Sequence, residues 1–295
     1  MSGDRPLRVA TRGSAQARTQ AQSVADALMA TQPGRRVELV FVETLGDRTQ
    51  HADIPLHTIG GQGVFVKEVQ SAVLRGDADI AAHSAKDLPS LPADGLQIGA
   101  FCTRRDARDV LIGSTLVGLA HAARVATGSV RRRAQLAVVR PDLHFLELRG
   151  NIHTRLEKVP DGGAIVMAAA ALDILGLTDR ISEYLPPATF VPSPGQGCVA
   201  IECRTGDDEM IEVLAAIDDS PSRRAVEIER AFLAELGSGC SLPVGAHATD
   251  RTLTAFLGAT SGPQHVIETI ELPDDHDLAV VHGAALASSM RDRLA

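Results

Sequence analysis

The sequence is poor in aromatic residues and in lysine, and it lacks the long apolar runs of a membrane helix. Aromatics make up 3% of the 295 positions, with no tryptophan, so a base-stacking platform for single-stranded nucleic acid is not expected. The net charge of −8 likewise speaks against a nucleic-acid partner. The longest unbroken apolar run, Ala164 to Leu172, falls far short of the ~18 residues a membrane span needs, so no membrane partner is expected. The opening MSGDRPLRV has no apolar core of a signal peptide. Four cysteines in a chain of this length do not make a disulfide scaffold, and a reduced cytoplasm suits them best. There is no H-E-x-x-H and no C-x-x-C, so no metal is expected. His51 and His57, in a polar stretch, read as surface residues rather than ligands. A G-x-x-x-x-G-K-[ST] cradle is missing too, as is a G-x-G-x-x-G after a strand, which removes the usual nucleotide sites.

What is present is an ordinary globular composition, 44% hydrophobic and 22% charged, with length for roughly two domains of ~150 residues. Strand-like and helix-like periods alternate. Strands are expected at Leu7 to Ala10, Val37 to Val42, Ala78 to Ala82, Arg124 to Ala126, Phe145 to Leu148 and Ala164 to Ala169. Helices are expected at Ala15 to Met29, Val64 to Arg75, Val130 to Val139 and Ile152 to Val159. This alternation is the pattern of α/β architecture, here two doubly wound lobes. The strand Val199 to Cys203 returns to the first lobe, so the chain crosses between lobes near Ala100 and again near Val199. The domains expected are 1–102 with 200–219, then 103–199, then a small α+β domain over 220–295. A double crossover suits a hinged protein with its ligand in the cleft.

Ligands of such sheets bind where strands end and helices begin. Those loops are polar in this chain: Thr11-Arg12-Gly13-Ser14, His83-Ser84-Ala85-Lys86-Asp87, Thr127-Gly128-Ser129 and Arg149-Gly150-Asn151, with Arg155 one turn further. Arg131, Arg132 and Arg133 crowd a helix start, where cations oppose the helix dipole. A bound polyanion would offset that cost; a solvated helix face is the plainer account. Lysine occurs only at Lys67, Lys86 and Lys158, and arginine supplies the remaining basic residues. Genomic habit is one source of that bias, and planar recognition of carboxylate or phosphate is the other. Asp87, beside Lys86 at a strand end, is a candidate to stabilise a cation or shuttle protons. Cys240, in the Gly-containing loop Gly237-Ser238-Gly239-Cys240-Ser241, is a candidate exposed nucleophile, whereas Cys102, Cys198 and Cys203 lie in or beside apolar strands.

Six segments carry a resemblance: RVATRGSAQARTQA from Arg8, DIAAHSAKDLP from Asp79, ATGSVRRRAQL from Ala126, LRGNIHTRL from Leu148, PGQGCVAIECR from Pro194 and GSGCSLPVGA from Gly237. In content, order and spacing the chain resembles the porphobilinogen deaminase, or hydroxymethylbilane synthase, family over essentially its full length. The resemblance implies two periplasmic-binding-protein-like lobes plus a small C-terminal domain. It implies head-to-tail condensation of four porphobilinogen units, with loss of ammonia, to hydroxymethylbilane; a cytoplasmic monomer is expected. Further implied are a dipyrromethane cofactor held by a thioether at Cys240 and catalysis by Asp87. Lys86, Ser84, Arg131, Arg132, Thr127 and Ser129 would hold the cofactor. Arg12, Ser14, Arg149, Asn151 and Arg155 would hold substrate, each porphobilinogen bearing an acetate and a propionate.

The sequence departs from the family pattern at three positions: Thr58 and Gln62 stand where lysines are frequent, and Ile174 where an arginine is usual. These losses motivate a second reading, a divergent paralogue that binds polycarboxylates with reduced or no turnover; retention of both Asp87 and Cys240 argues against it. A cysteine hydrolase using Cys240 with His247 is a third reading, for which no orienting partner is identifiable.

Overall fold

The computed structural model describes residues 5–44, 65–237, 242–260 and 262–294. The first sheet holds β1 (Leu7–Arg12), β2 (Val37–Val42), β3 (Ile80–Ser84), β4 (Leu96–Phe101) and β10 (Val199–Arg204), in the order β2-β1-β3-β10-β4. The second holds β5 (Asp109–Ile112), β6 (Arg124–Ala126), β7 (His144–Leu146), β8 (Ala164–Ala168) and β9 (Glu183–Tyr184), in the order β7-β6-β8-β5-β9. Continuous burial of β3, β5 and β8 fits their apolar runs, as expected of strands covered on both faces.

The two sheets repeat one plan. In each, three strands run parallel, and a strand arriving from the other lobe is inserted antiparallel to its neighbours: β10 beside β3 and β4, β5 beside β8 and β9. Alternation of strand and helix predicts parallel pairing throughout, and it holds only among β2, β1 and β3 and among β7, β6 and β8. The inserted strands are antiparallel because each enters its sheet from a crossover rather than after a covering helix. At Gly197, φ is +89° and a Cβ would lie 2.6 Å from the Arg105 carbonyl, so the two crossovers run too close for any larger residue.

Helix α1 (Ala15–Thr31) is capped by Ser14, whose Oγ accepts from the Ala17 N–H. Among the later helices, α2 (Lys67–Leu74) covers the first sheet, and α3 (Val130–Val139) is capped by the Ser129 hydroxyl, α4 (Ile152–Leu156) by the Asn151 carboxamide. These caps follow β1, β6 and β7, so three helix starts face the same end of the strands.

The chain continues through α5 (Ala169–Asp173), α6 (Asp208–Ala215) and α7 (Ser220–Glu235) into β11 (Val244–Ala248), β12 (Thr252–Gly258), β13 (His265–Glu271) and α8 (His276–Leu294). The three strands form an antiparallel sheet whose apolar face packs Ile228, Phe232, Leu253, Ala287 and Met290 into a core of its own. Glu229 on α7, fully buried, ties this unit to both crossovers. It accepts from Arg104 Nη1 and Nη2 at 2.6 and 3.1 Å, from the Gly195 N–H at 2.7 Å and from the Ala248 N–H at 2.8 Å. Burial alone would raise the Glu229 pKa, but Arg104 and the nearby His247 hold it below the usual carboxylate range. Glu229→Ala leaves the Arg104 charge without its counter-ion and is expected to cost about 3–5 kcal/mol. Urea unfolding checks this; a midpoint equal to wild type would show that the junction contributes nothing.

Candidate active site

A cavity of about 800 Å³ opens between the facing strand ends of the two lobes. The first lobe contributes Arg12, Gly13 and Ser14 after β1, Phe41 and Glu43 at the end of β2, Phe65, and Lys86 with Asp87 in the turn after β3. The second contributes Ser129 and Arg132 at the start of α3, then Arg149, Asn151, His153 and Arg155 around the start of α4. Among the described residues, five lining side chains are arginine or lysine (Arg12, Lys86, Arg132, Arg149 and Arg155), against the carboxylates Glu43 and Asp87. Such a surface accepts an anion with several charged groups.

The floor is organised by Asp109, the first residue of β5 and fully buried. Arg131 Nη1 donates to its Oδ2 at 2.6 Å, and Arg132 donates to its Oδ1 through Nη2 at 2.7 Å and Nε at 2.9 Å. Burial would raise the Asp109 pKa; the two guanidiniums and the Arg131 and Gln196 hydrogen bonds pull it far below the usual range. The arginines at the α3 start are thus partly matched from within the protein, and neither of the first two is a solvated surface residue. Arg133 turns outward to Glu147 at 2.5 Å.

Gln196 extends this network to the other lobe. Its Nε2 donates to Asp109 Oδ1 at 2.9 Å and to the Ala107 carbonyl at 2.8 Å, and its Oε1 accepts from Lys86 Nζ at 3.2 Å. Burial, with Arg132 nearby, lowers the Lys86 pKa to about 8, although Asp87 and Asp109 act in the opposite direction. Arg155, whose Nε donates to the Gly150 carbonyl at 2.8 Å, is lowered to about 10 by burial and by the charges of Arg132, Arg149 and Arg12. Arg12 stacks on Phe65, its guanidinium carbon 4.0 Å from the ring centroid. The cations repel one another, so an anionic ligand relieves a cost already present in the fold.

Of the residues singled out in the sequence, Arg12, Ser14, Lys86, Asp87, Ser129, Arg132, Arg149, Asn151 and Arg155 line this one cavity. Arg131 is turned away from it, toward Asp109 and the Val191 carbonyl. Ser84 donates to Gln20 Oε1 at 3.0 Å, and the buried Thr127 hydroxyl accepts from the Ser129 N–H at 3.2 Å. Ile174 caps α5 and is not among the lining residues. Cys240, Thr58, Gln62, His51 and His57 lie outside the described residues. The other cysteines are poor nucleophiles: burial pushes the Cys102 thiol up to about 11 and Cys198 up to about 12, and raises Cys203. Asp109, Gln196, Phe41, Phe65, Glu43 and His153 were not foreseen as site residues. A charged residue opening the apolar run Asp109-Val110-Leu111-Ile112 was the available signal for the first, and Gln196 sits between two glycines of a quoted segment.

The comparisons agree over most of the chain. Residues 7–212 match the family model described as porphobilinogen deaminase, dipyromethane cofactor binding domain, and residues 224–292 match porphobilinogen deaminase, C-terminal domain. A porphobilinogen deaminase of Roseiflexus castenholzii is 44% identical over 297 aligned positions, covering 97% of this chain and 96% of that one. Another, from Syntrophobacter fumaroxidans, is 45% identical, covering 85% and 83% respectively. Among solved structures, a TRAP periplasmic solute binding protein from Desulfovibrio salexigens is similar with a TM-score of 0.42 and 12% identity, over 73% of this chain and 72% of that one.

The lowered Lys86 pKa sets a pH dependence. The cationic form is lost as pH rises through about 8, so affinity for a polycarboxylate ligand should fall across that range. In Lys86→Arg the charge persists to far higher pH, and the fall should vanish. Calorimetric titration at several pH values on either side of that value checks both; a wild-type affinity that stays flat would contradict the role of Lys86.

Proposed function

The chain belongs to the porphobilinogen deaminase family, and from that premise we propose that it condenses four porphobilinogen molecules head to tail into hydroxymethylbilane. The reaction class is transfer of a pyrrolylmethyl group with release of ammonia. The observation that carries the reading is the ring of lining cations around Asp87, in a cleft shared by both lobes. Each porphobilinogen brings an acetate and a propionate, and planar guanidiniums hold such groups through paired hydrogen bonds.

The chemistry assigned to the chain's own residues is as follows. Lining arginines bind the substrate carboxylates, with Lys86, Ser14, Ser129 and Asn151 adding hydrogen bonds at the same walls. The substrate's aminomethyl C–N bond breaks, the nitrogen leaves as ammonia, and a positive charge spreads over the pyrrole ring and its methylene carbon. Asp87 accepts the pyrrole N–H and stabilises that charge electrostatically. The methylene carbon then bonds to the free α-carbon of the preceding ring, which gives up its proton, and after four additions one water supplies the hydroxyl of the released hydroxymethylbilane. Arg131 acts through Asp109 to position Arg132, and Ser84 and Thr127 support the loops that bear Lys86 and Ser129.

The mutual repulsion among the lining cations, visible in Lys86 and Arg155, fits a dipyrromethane with its own carboxylates. When bound, that cofactor supplies the pyrrole carbon to which the first unit is joined. Cys240 is assigned its thioether attachment, on the segment after α7. The reading further includes domains over 1–102 with 200–219, 103–199 and 220–295, and action as a monomer in the cytoplasm.

Two experiments test it. The intact mass of the purified protein should exceed the sequence mass by two pyrrole units with their side chains, and Cys240→Ala should remove the excess. A bare mass in turning-over protein would overturn the attachment. Asp87→Asn keeps the shape and removes the charge, so turnover should drop by ~10²–10³ in a protein that still folds. Near-normal turnover would remove Asp87 from its role, and a wild type that binds porphobilinogen without producing tetrapyrrole would favour a polycarboxylate-binding paralogue.

A further inference from the structure

We infer that Arg18 is an additional carboxylate-binding residue at the rim of the cleft, one that takes up a side-chain carboxylate of the growing pyrrole chain. This rests on the condensation reading above. The starting point is a shortage of charge. Every added unit brings two carboxylates, whereas five arginine and lysine side chains line the cavity among the described residues. One of these, Arg132, already gives two of its nitrogens to Asp109. The growing chain therefore outnumbers the lining cations among the described residues before it is complete, and a further cation at the margin would add a carboxylate contact.

Arg18 stands in the right place and in the right state. It lies in the first turn of α1, directly after the loop of Arg12, Gly13 and Ser14 that lines the cavity. Its Nε donates to the Gly13 carbonyl at 2.8 Å, and its guanidinium carbon lies 4.3 Å from the centroid of the Phe41 ring. Both Gly13 and Phe41 are cavity-lining residues. One hydrogen bond and one stacked ring thus fix the guanidinium plane at the cavity margin. Nη1 and Nη2 have no hydrogen bond or ion pair among the described residues, so that edge of the group is open to a carboxylate. Arg133, also near the cleft, differs: its guanidinium is matched by Glu147. A planar fork already held in position loses less freedom on binding than a loose side chain, which favours a bidentate contact. The half-exposed Phe41 ring is explained as well, because its face serves as the platform for the guanidinium.

The test uses cofactor-loaded enzyme and compares wild type, Arg18→Leu and Arg18→Lys. Steady-state kinetics with porphobilinogen and mass analysis of enzyme-bound intermediates are the readouts, with the thermal midpoint as a folding control. Arg18→Leu should raise KM about threefold to tenfold with kcat changed less than about twofold, the size expected for a partly solvated charge pair. Enzyme carrying the later additions should be depleted relative to the earlier ones. Arg18→Lys keeps the charge but not the fork or the stacking, and should recover part of the loss. Unchanged KM and intermediates in Arg18→Leu, with an active wild type, would overturn this inference alone. Equal losses in both variants together with a lowered thermal midpoint would assign Arg18 a structural role and overturn it too. A wild type that produces no tetrapyrrole would overturn the functional reading and this inference with it.

Discussion

Two arginines at the start of a helix, buried beneath a cleft, can be tolerated only if a carboxylate is buried with them. Asp109 is that carboxylate, and most of the site's geometry depends on it. Removing one partner of a buried charge cluster leaves an uncompensated charge in a poorly polarisable interior, a cost that hydration can no longer meet. With Asp109 in place, Arg132 is held against the cavity wall and Gln196 is oriented so that its carbonyl oxygen faces Lys86. A residue of the second lobe therefore sets the position of a cation in the first. Since Gln196 belongs to a crossover, the same bond links the hinge region to the cleft.

Two further cations of the cleft, Lys86 and Arg155, are held under electrostatic pressure. Lys86 is lowered to about 8 and Arg155 to about 10 because burial and neighbouring cations disfavour another positive charge. The fold bears this cost in the free protein and recovers it when a polycarboxylate binds. Such a cleft draws in acidic substrates over a distance and holds them without closing on a single shape, which a chain that lengthens during the reaction requires. The aromatic rings at its edge, Phe41 and Phe65, each carry an arginine on one face and so keep guanidiniums extended toward the opening. In a sequence so poor in aromatics, both are used to orient charge rather than to fill a core.

Much of this is legible in the residues alone. Polar loops such as Thr11-Arg12-Gly13-Ser14 and Ser84-Ala85-Lys86-Asp87 interrupt apolar strands, and helix caps at Ser14, Ser129 and Asn151 follow from their side chains. These are local effects. What escaped was non-local. The partner of Arg131 is Asp109, far away along the chain, so the crowded helix start suggested an external anion when an internal one was already present. β5 and β10 run antiparallel because of where the chain enters each sheet, which no local pattern encodes. Strands β4, β5, β9 and β11 and the helix α6 are not among the expected elements: β5 and β9 are too short to carry a period, whereas α6, with Met210, Val213 and Leu214 on its buried face, does carry one. Arg18 was overlooked because its importance lies in the Phe41 ring across the β1–β2 face, a contact invisible in a single stretch of sequence.

A buried carboxylate, Asp109, organises the cationic cleft proposed to hold the pyrrole chain. Asp109→Asn tests it most directly, with the intact mass and thermal midpoint of the purified variant measured together. The account predicts a folded protein with a lowered midpoint that no longer retains the dipyrromethane mass. A variant that keeps both the wild-type midpoint and the full cofactor mass would contradict it.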